Sequence, residues 1–322
     1  MALKDIIAEI ERDISDMAST KFEYVNAKYV PSTNDSGLSY ERGVTKKGKI
    51  IRTCVLFVDI RDSVAMTAKH QSVTMGRIYT SFTKAIIKIA RYHGGHTRNI
   101  IGDRVMIVFP EDKTFTNAVE CALSINYISV IIFPKKYPGV DFKCGIGIDH
   151  GELKVLKVGI QRNGTESAEN KGLVWTGYPA NIASRLTDMA NKTVTESYYS
   201  VTYYSLNLGT YPGFGIPPAT TRTPFYSNTP TTKEMSEIEF ANCMRVHKDG
   251  QLFFVHGKMI SFEKKTRTYK YPPILITANT LSGLKRESAN DRLYKPGYWR
   301  EQIYPIKNVS GKVFGSELSW SL

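Results

Sequence analysis

The order of apolar and polar positions along the chain predicts alternating helices and strands. Between residues 3 and 18, four isoleucines recur at helical spacing among acids and lysines, which predicts an amphipathic helix whose apolar stripe suits a dimer. Residues 54–60, CVLFVDI, form a nearly continuous apolar run typical of a central strand buried on both faces. Residues 74–92 return to apolar spacings of three and four and predict a second helix, which Gly94 and Gly95 end.

The next hundred residues continue this alternation. Residues 96–109 predict two short strands joined by a tight turn at Gly102 and Asp103, and a helix follows over 114–132. Residues 142–159 predict two extended stretches that flank a turn at His150 and Gly151. Residues 172–190 pass from a strand through a Gly/Pro turn into a helix that begins near Asn181. This order predicts an α/β class, a ferredoxin-like α+β sandwich with a central, mostly antiparallel sheet and flanking helices.

Composition changes in the last third of the chain. Residues 192–272 are rich in Tyr, Thr, Ser, Asn and Pro and contain few long periodic apolar runs, so we interpret them as an insertion. Recognisable elements return afterwards and predict one helix and the last strand or strands. The chain is therefore divided into an N-terminal helix and loop over 1–49 and a main domain over 50–322 that carries the insertion.

The charge and the cysteines restrict the function only loosely. A formal net charge of +13 suits nucleic acid, an acidic membrane surface or a polyanionic small substrate. No helix-turn-helix, zinc-finger or RNP-like pattern is present, so we expect no nucleic-acid partner. The sequence has neither an uninterrupted apolar run of membrane-spanning length nor a signal peptide, which predicts a cytoplasmic protein without a membrane partner. The cysteines are scattered and predict reduced core residues: Cys54, Cys121, Cys144 and Cys243.

Two carboxylates occupy positions suited to metal ions. Asp59 ends the predicted central strand, and Asp103 lies at the tip of the predicted hairpin. Such a pair suits two hard cations that bridge triphosphate oxygens and polarise an attacking hydroxyl, with the main-chain carbonyl of Ile60 completing one coordination sphere. For each acid alone the alternative is structural, since aspartate also caps helices and fills turns.

Two polar side chains on a later helix suit the same chemistry. Asn181 and Arg185 are four residues apart, so they share one helix face and can reach the same pentavalent phosphorus. Asn181 can orient a ribose, and Arg185 can neutralise the charge that develops during the reaction. A helix cap and a surface charge remain the alternative for these two residues.

Four motifs in this order resemble the class III nucleotidyl cyclases: FVDIRDSV, IIGDRVMIVF, GIGIDHGEL and TGYPANIASRL. The resemblance covers residues 50–190 well and the last fifty loosely. It implies a cyclase catalytic domain over 50–322, two divalent ions (Mn²⁺ or Mg²⁺) on Asp59 and Asp103, and a head-to-tail homodimer. In such a dimer, the two acids of one subunit lie against Asn181 and Arg185 of the other.

The chain departs from the purine cyclases of this family where the base is read. A Lys or Glu usually precedes the second metal Asp by four residues, but Asn99 stands there. The second base-reading position falls on or beside Val174, followed by the bulky Trp175. A smaller pocket would exclude the second ring of a purine, and an amide can both donate to and accept from a base edge. Asn99 is equally a common turn former.

This pattern is most similar to the bacterial Pycsar pyrimidine cyclases of antiphage defence. The similarity implies that the chain converts UTP, or less favourably CTP, to the 3',5'-cyclic monophosphate and that a separate cyclic-nucleotide-binding effector protein reads the product. Arg61 and Arg104 flank the two acids and either contact the triphosphate, point into solvent or pair with a neighbouring acid. The alternatives are a purine cyclase with unusual base contacts and a catalytically silent sensing module.

Overall fold

The structure is a computed structural model and describes residues 2–39, 45–162, 165–206, 226–288, 291–304 and 306–321. The chain divides into two compact units. The main unit comprises Met1–Lys192 and Tyr271–Leu322, and the inserted unit is Thr193–Lys270.

Helices and strands alternate along the main unit up to residue 192. Its elements up to residue 192 are α1 (Leu3–Ser19), β1 (Lys21–Asn26), β2 (Thr45–Ile60), α2 (Ser63–Lys69), α3 (Ser72–Tyr92), β3 (His96–Ile101), β4 (Arg104–Val108), α4 (Thr114–Tyr127), a π-turn (Ile128–Ile132), α5 (Phe133–Lys136), β5 (Cys144–Arg162), β6 (Thr165–Thr176) and α6 (Tyr178–Met189). The inserted unit contains β7 (Thr193–Ser205), β8 (Thr231–Ser236), α7 (Glu237–Cys243), β9 (Met244–Val246), β10 (Leu252–Phe254) and β11 (Gly257–Lys270). The main unit resumes with β12 (Ile274–Thr277), α8 (Ala278–Glu287), a 3₁₀ turn (Asp291–Leu293), β13 (Arg300–Glu301) and β14 (Val313–Ser316).

The main unit is built on one mixed sheet. Its strand order is β13-β14-β12-β5-β2-β4-β3, and β1 and β6 add to β2 and β5. Only the β1–β2 and β12–β5 pairs among the described strands are parallel. The predicted central, mostly antiparallel sheet with flanking helices is therefore confirmed. The sequence did not predict β1, whose side chains are all exposed.

The alternation of side chains along β2 creates the two faces of this sheet. Cys54, Leu56 and Val58 are buried against a large hydrophobic core to which α3, α4 and α8 contribute. Val55 belongs to a second core that includes two alanines of α6, and we call this side the α6 face. Because successive side chains of a strand point to opposite faces, Asp59 lies on the α6 face with Val55.

The predicted turn at His150 and Gly151 is wrong, because β5 continues through both residues. It pairs with β2 without interruption from Lys49↔Val155 to Ile60↔Cys144. The physical reason is a change of phase. Ile146 and Ile148 are buried in the large core, whereas Leu153 and Val155 are buried on the α6 face, so the apolar alternation shifts by one residue in mid-strand. Such a shift resembles two strands joined by a turn when it is read in sequence alone.

Helix α6 packs directly on the backbone of β5. A Cβ atom placed on Gly147 would lie 2.3 Å from the carbonyl oxygen of Ala183, and one on Gly145 would lie 2.5 Å from that of Ala190. At the other end of the helix, Pro179 contacts Gly151. Only residues without side chains allow this approach, so the glycines set the position of α6 along the sheet.

One helical stretch, Thr114–Lys136, is long and apolar enough to cross a membrane by length and composition. Its most apolar window is 44% buried within the protein. Ala118, Val119 and Ala122 are fully buried in the large core, as in a core helix of a globular domain. Helix α1, in contrast, buries none of its side chains, and Leu3, Ile7 and Ile14 are more than half exposed.

The inserted unit has its own small sheet and core. Strand β7 pairs antiparallel with β11 on one side and β8 on the other, and β9 and β10 form a hairpin. Its core consists of Val201, Tyr203, Met235, Cys243 and Phe254. The predicted insertion also includes residues 207–225, which lie outside the described residues.

The packing of α6 on β5 predicts the effect of adding one methyl group. Gly147→Ala should lower the free energy of unfolding by about 1–3 kcal/mol, because the backbone of α6 has to move away. Gly76→Ala in α3 is the matched control, since a Cβ there meets nothing within 4 Å. It should stabilise the protein by about 0.5–1 kcal/mol. Urea unfolding monitored by circular dichroism measures both, and a Gly147→Ala variant as stable as the wild type would contradict this packing argument.

Candidate active site

The two aspartates predicted to bind metal ions lie at the same end of neighbouring strands. Asp59 is the penultimate residue of β2, and Asp103 follows Gly102 in the turn between β3 and β4. Gly102 adopts a left-handed φ of +61°, as the tight turn requires. Because β4 runs antiparallel to β2 up to the pair Val58↔Val105, the turn returns Asp103 to Asp59. We call these two residues the acid pair.

The electrostatics of the acid pair favour a cation. Burial, followed by the negative charge of Asp59, raises the pKa of Asp103 above its ordinary value, although a hydrogen bond with Ser63 opposes the shift. The Oδ2 atom of Asp103 is buried and has no hydrogen-bond partner among the described residues. A buried carboxylate oxygen without a partner, beside a second carboxylate, has the chemistry of a ligand for a hard cation. The acid pair therefore fits divalent metal ions.

Two arginines hold the carboxylate of Asp59. Arg61 Nη2 donates to Asp59 Oδ2 at 3.1 Å, and Arg104 Nη2 donates to the same oxygen at 2.7 Å. Both guanidinium groups thus bind one oxygen, and neither binds Oδ1. Partners of this kind fix the orientation of a metal-binding carboxylate. Of the three alternatives that the sequence leaves open for these arginines, the structure has both of them paired with an acid.

The remaining ligands of a cation must come from groups other than acidic, histidine or cysteine side chains. Within the described ranges, no group of three or more such side chains is arranged to hold a metal ion. Ile60, which is 3% exposed, is the last residue of β2, so its main-chain carbonyl directly follows Asp59 in the chain. Main-chain carbonyls, water and substrate phosphates are common ligands of Mg²⁺ and related ions.

Helix α6 carries the predicted catalytic residues away from the acid pair of the same chain. Asn181 is exposed and Arg185 half-buried, and neither side chain forms a hydrogen bond or ion pair with any described residue. The C-terminal end of α6 lies over Gly145, which pairs with Asp59. Asn181 lies two turns nearer the N-terminus than Asp188, about 10 Å along the helix axis. The structure therefore does not bring Asn181 to the acid pair of its own chain.

The predicted base-reading residues divide between the two faces of the sheet. Asn99 pairs with Met106, and Met106 is buried on the α6 face, so Asn99 faces that side. Trp175 pairs with Val155 and packs on the same face. Val174 points to the opposite face and is 38% exposed. Asn99 and Trp175 thus share a face with α6, whereas Val174 does not.

Arg98 was missed by sequence reasoning. The pairing of β3 with β4 shifts between Thr97 and Asn99, which leaves Arg98 as the extra residue of a bulge. Its guanidinium lies 5.9 Å from the ring centroid of Trp175 and donates to the carbonyl oxygen of Val30 at 3.3 Å. Burial lowers the pKa of Arg98. The position of the guanidinium over the indole ring is that of a cation–π contact. A single extra residue in a strand leaves no signal in the hydrophobic pattern.

Asp188 was also missed. It lies on the outer side of α6, where its carboxylate forms an ion pair with Arg104 and its main-chain oxygen accepts a hydrogen bond from Arg61 at 3.0 Å. Ser184 accepts from Arg104 at 3.0 Å. The spacing of Asp188 from Asn181 and Arg185, seven and three residues, indicates the shared helix face. The contact with Arg104 is long-range and has no sequence signal.

The raised pKa of Asp103 predicts opposite effects of two substitutions on stability without metal. Because its folded-state pKa lies above the unfolded value, ionised Asp103 destabilises the fold at neutral pH. Asp103→Asn should therefore raise the free energy of unfolding at pH 7, and the gain should vanish as the pH falls through the range of an ordinary aspartate. Asp59→Asn should instead lower it, since Arg61 and Arg104 lose their partner.

The measurement is chemical denaturation at pH 7 and pH 4 in the presence of a chelator, with Mn²⁺ binding followed in parallel. Both variants should lose most of their Mn²⁺ affinity. An Asp103→Asn variant less stable than the wild type at pH 7 would contradict the prediction that the ionised carboxylate destabilises the fold.

Comparison with known proteins relates the chain to nucleotide cyclases. No protein-family model matches the chain. The uridylate cyclase of Burkholderia cepacia is 31% identical over 198 residues, which cover 60% of this chain and 80% of that protein. The uridylate cyclase of Xanthomonas perforans is 31% identical over 210 residues, covering 62% and 84%. A third, from Rhodovulum sp. (strain MB263), is 25% identical over 190 residues, covering 56% and 74%.

The solved structures to which the chain is similar include two cyclases. The adenylyl cyclase CyaB from P. aeruginosa is 14% identical with a TM-score of 0.47, covering 83% of this chain and 93% of that one. The guanylyl cyclase Cya2 is 13% identical with a TM-score of 0.44, covering 84% and 94%.

The sequence relationship is sufficient to assign the family. Two relatives are 31% identical to this chain, and the matched regions span at least four fifths of each. The resemblance to nucleotidyl cyclases in the four ordered motifs is confirmed by these matches. The chain is a nucleotidyl cyclase and belongs to the family of these uridylate cyclases.

Proposed function

We propose that this protein converts a pyrimidine nucleoside triphosphate, UTP in preference to CTP, to its 3',5'-cyclic monophosphate and pyrophosphate. The observation that carries the proposal is the acid pair: two carboxylates meet at one sheet end, and one oxygen is buried without a partner among the described residues. The names of the relatives, uridylate cyclases, support the choice of base.

Two divalent ions, Mn²⁺ or Mg²⁺, are the cofactors in this proposal. Asp59 Oδ1, Asp103 and the main-chain carbonyl of Ile60 would hold them. When bound, such ions supply positive charge that neutralises triphosphate oxygens and makes the 3'-hydroxyl more acidic. Arg61 and Arg104 keep Oδ2 of Asp59 occupied and leave Oδ1 to the cation.

The reaction exchanges one phosphorus–oxygen bond for another. The 3'-oxygen attacks the α-phosphorus and releases its proton to solvent, while the bond from the α-phosphorus to the bridging α–β oxygen breaks and pyrophosphate leaves. Asn181 binds the ribose and aligns the 3'-oxygen. Arg185 neutralises the negative charge that grows on the equatorial phosphate oxygens in the transition state. Neither side chain has a hydrogen-bond or ion-pair partner among the described residues, so both are available to a substrate.

The active site is completed by a second copy of the chain. Asn181 lies about 10 Å along α6 from Asp188, the helix residue bound to Arg104 beside the acid pair. A head-to-tail homodimer would place Asn181 and Arg185 of one subunit against Asp59 and Asp103 of the other, and its two-fold symmetry would create two equivalent sites. This arrangement explains why the catalytic residues on α6 face outward.

Asn99 and Trp175 are the proposed base-reading residues. Both lie on the α6 face of the sheet, against which the helix that carries Asn181 packs. The guanidinium of Arg98 lies over the indole ring of Trp175. An indole held in one plane narrows the space for the base and favours a single ring. The amide of Asn99 can donate to O4 of uracil and accept from its N3–H group. The same amide, flipped, suits cytosine, which is why CTP remains the second substrate.

The proposed role of the product is that of a second messenger in bacterial antiphage defence. The resemblance to the Pycsar pyrimidine cyclases supports this role, with a separate cyclic-nucleotide-binding effector protein as the reader and the cytoplasm as the location. The net charge of +13 suits a triphosphate substrate without requiring nucleic acid.

The first experiment identifies the product. Purified protein is incubated with Mn²⁺ and ATP, GTP, CTP or UTP separately, and the products are analysed by mass spectrometry. We expect cyclic UMP as the main product, with cyclic CMP second, and none from Asp59→Ala/Asp103→Ala. A cyclic purine as the main product would overturn the choice of base. Absence of any product would favour the silent module.

The composite site predicts complementation between two inactive variants. Asp59→Asn and Asn181→Ala should each lose nearly all activity alone. When they are mixed in equal amounts and allowed to exchange subunits, half the dimers are mixed and each contains one intact site, so about a quarter of wild-type activity should return. Mixing Asp59→Asn with Asp103→Asn is the control, because both variants damage the same half-site. Equal recovery in both mixtures would contradict the composite site.

A further inference from the structure

Helix α6 is joined to the acid pair by two arginine bridges that end at Asp188. Arg61 donates through Nη2 to Asp59 Oδ2 at 3.1 Å and through Nη1 to the main-chain oxygen of Asp188 at 3.0 Å. Arg104 donates to the same oxygen of Asp59 at 2.7 Å and forms an ion pair with the carboxylate of Asp188. Ser184 accepts from the remaining Nη of Arg104. Every one of these contacts lies within one chain.

We propose that Asp188 is a positioning residue for the metal site, acting through Arg104 on Asp59. The inference rests on the proposed function, because it assumes that Asp59 and Asp103 bind a divalent ion. Asp188 itself does not contact either aspartate. Its carboxylate determines how the guanidinium of Arg104 is shared between the helix and the metal-binding acid.

Exposure separates this role from a purely structural one. The side chain of Asp188 is 54% exposed, whereas those of Asp59 and Arg104 are 16% and 28% exposed. An ion pair with so exposed a partner stabilises a fold little, because water solvates the carboxylate well in either state. The carboxylate of Asp59, in contrast, is nearly enclosed by protein. A shift in the position of the Arg104 guanidinium therefore changes the electrostatic potential at Asp59 more strongly than it would at an exposed group.

Two effects of Asp188 act in the same direction. It withdraws part of the positive charge of Arg104 from Asp59, which leaves more negative charge for a cation. It also anchors Arg104 on the side of Oδ2, which keeps Oδ1 free. Without the carboxylate of Asp188, Asp59 would be the one acid paired with Arg104, whose guanidinium could then reach both oxygens of Asp59. Loss of the Asp188 carboxylate should therefore weaken the binding of a divalent ion at Asp59.

The same bridge links two functional groups of residues. Asn181 and Arg185 lie on α6, and under the proposed function they serve the site of the partner subunit. The acid pair serves the site of its own subunit. The contacts of Asp188 with Arg61 and Arg104 therefore connect the contributions of one chain to two different sites.

The test measures Mn²⁺ binding without nucleotide, by the electron paramagnetic resonance signal of free Mn²⁺. Asp188→Asn removes only the charge and should weaken Mn²⁺ binding about 10-fold, as for other residues that orient a metal ligand. Asp188→Glu restores the charge and should recover most of the affinity. Glu301→Gln is the matched control, since it breaks another exposed ion pair of the main unit, with Lys312. It should leave Mn²⁺ binding unchanged.

A double substitution separates action through Arg104 from a direct effect of charge. In an Arg104→Met background, Asp188→Asn should have no further effect on Mn²⁺ affinity. An equal loss in both backgrounds would overturn the proposal, because Asp188 would then act by its own field. Unchanged Mn²⁺ affinity in Asp188→Asn would overturn it too, while wild-type cyclisation of UTP would leave the proposed function standing. Failure of the wild type to bind Mn²⁺ or form product would instead reject the proposed function.

Discussion

The contact between α6 and the backbone of β5 is the constraint on which the rest of the site depends. Gly145 and Gly147 allow the helix to lie so close that its main-chain atoms replace side-chain packing. The closeness determines the height of α6 above the sheet, and the pairing of β5 with β2 transfers that position to Asp59. Two alanines on the inner side of α6 continue the same close contact. A side chain at Gly145 or Gly147 would therefore displace the helix from this position.

The two aspartates of the acid pair differ in how their charge is compensated. Asp59 is held by two arginines, whereas Asp103 has a raised pKa and a buried oxygen without a partner among the described residues. One acid of the pair is thus already compensated and the other is not. Such an asymmetry keeps the two carboxylates close without a cation and leaves a favourable place for one. The ionised carboxylate of Asp103 lowers the free energy of unfolding, and a cation that binds the folded protein there would raise it.

The sequence predicted a large part of this fold because the decisive features are local. The apolar run ending at Asp59, the hairpin at Gly102 and the helix of Asn181 each produce a periodic pattern or a turn signal. The errors and omissions have non-local causes. Strand β5 changes its buried face at mid-length, and β1 joins the sheet although all its side chains are exposed. A pattern-based interpretation assumes one buried face per strand, so both features are invisible to it.

For the site, residue types at the ends of predicted elements were sufficient to propose Asp59, Asp103, Asn181 and Arg185. The supporting residues could not be found in this way. Arg98 owes its place to a bulge, and Asp188 meets Arg104 across more than eighty positions of the chain. Contacts of this kind depend on the three-dimensional position of α6. Sequence order alone leads to the candidate reacting groups but not to the residues that contact them.

The way the inserted unit enters and leaves the chain has an evolutionary consequence. It begins and ends on paired strands, with Thr193 opposite Lys270, and in the main unit the amide of Tyr271 donates to the carbonyl oxygen of Lys192 at 2.9 Å. The main chain is thus closed across this point as if by a short hairpin. A segment attached in this manner can be lengthened, exchanged or lost by a single genetic event, while the sheet that carries Asp59 keeps its connectivity. The boundary is therefore a place where the length of the chain can change without a change in the strand order of the main sheet.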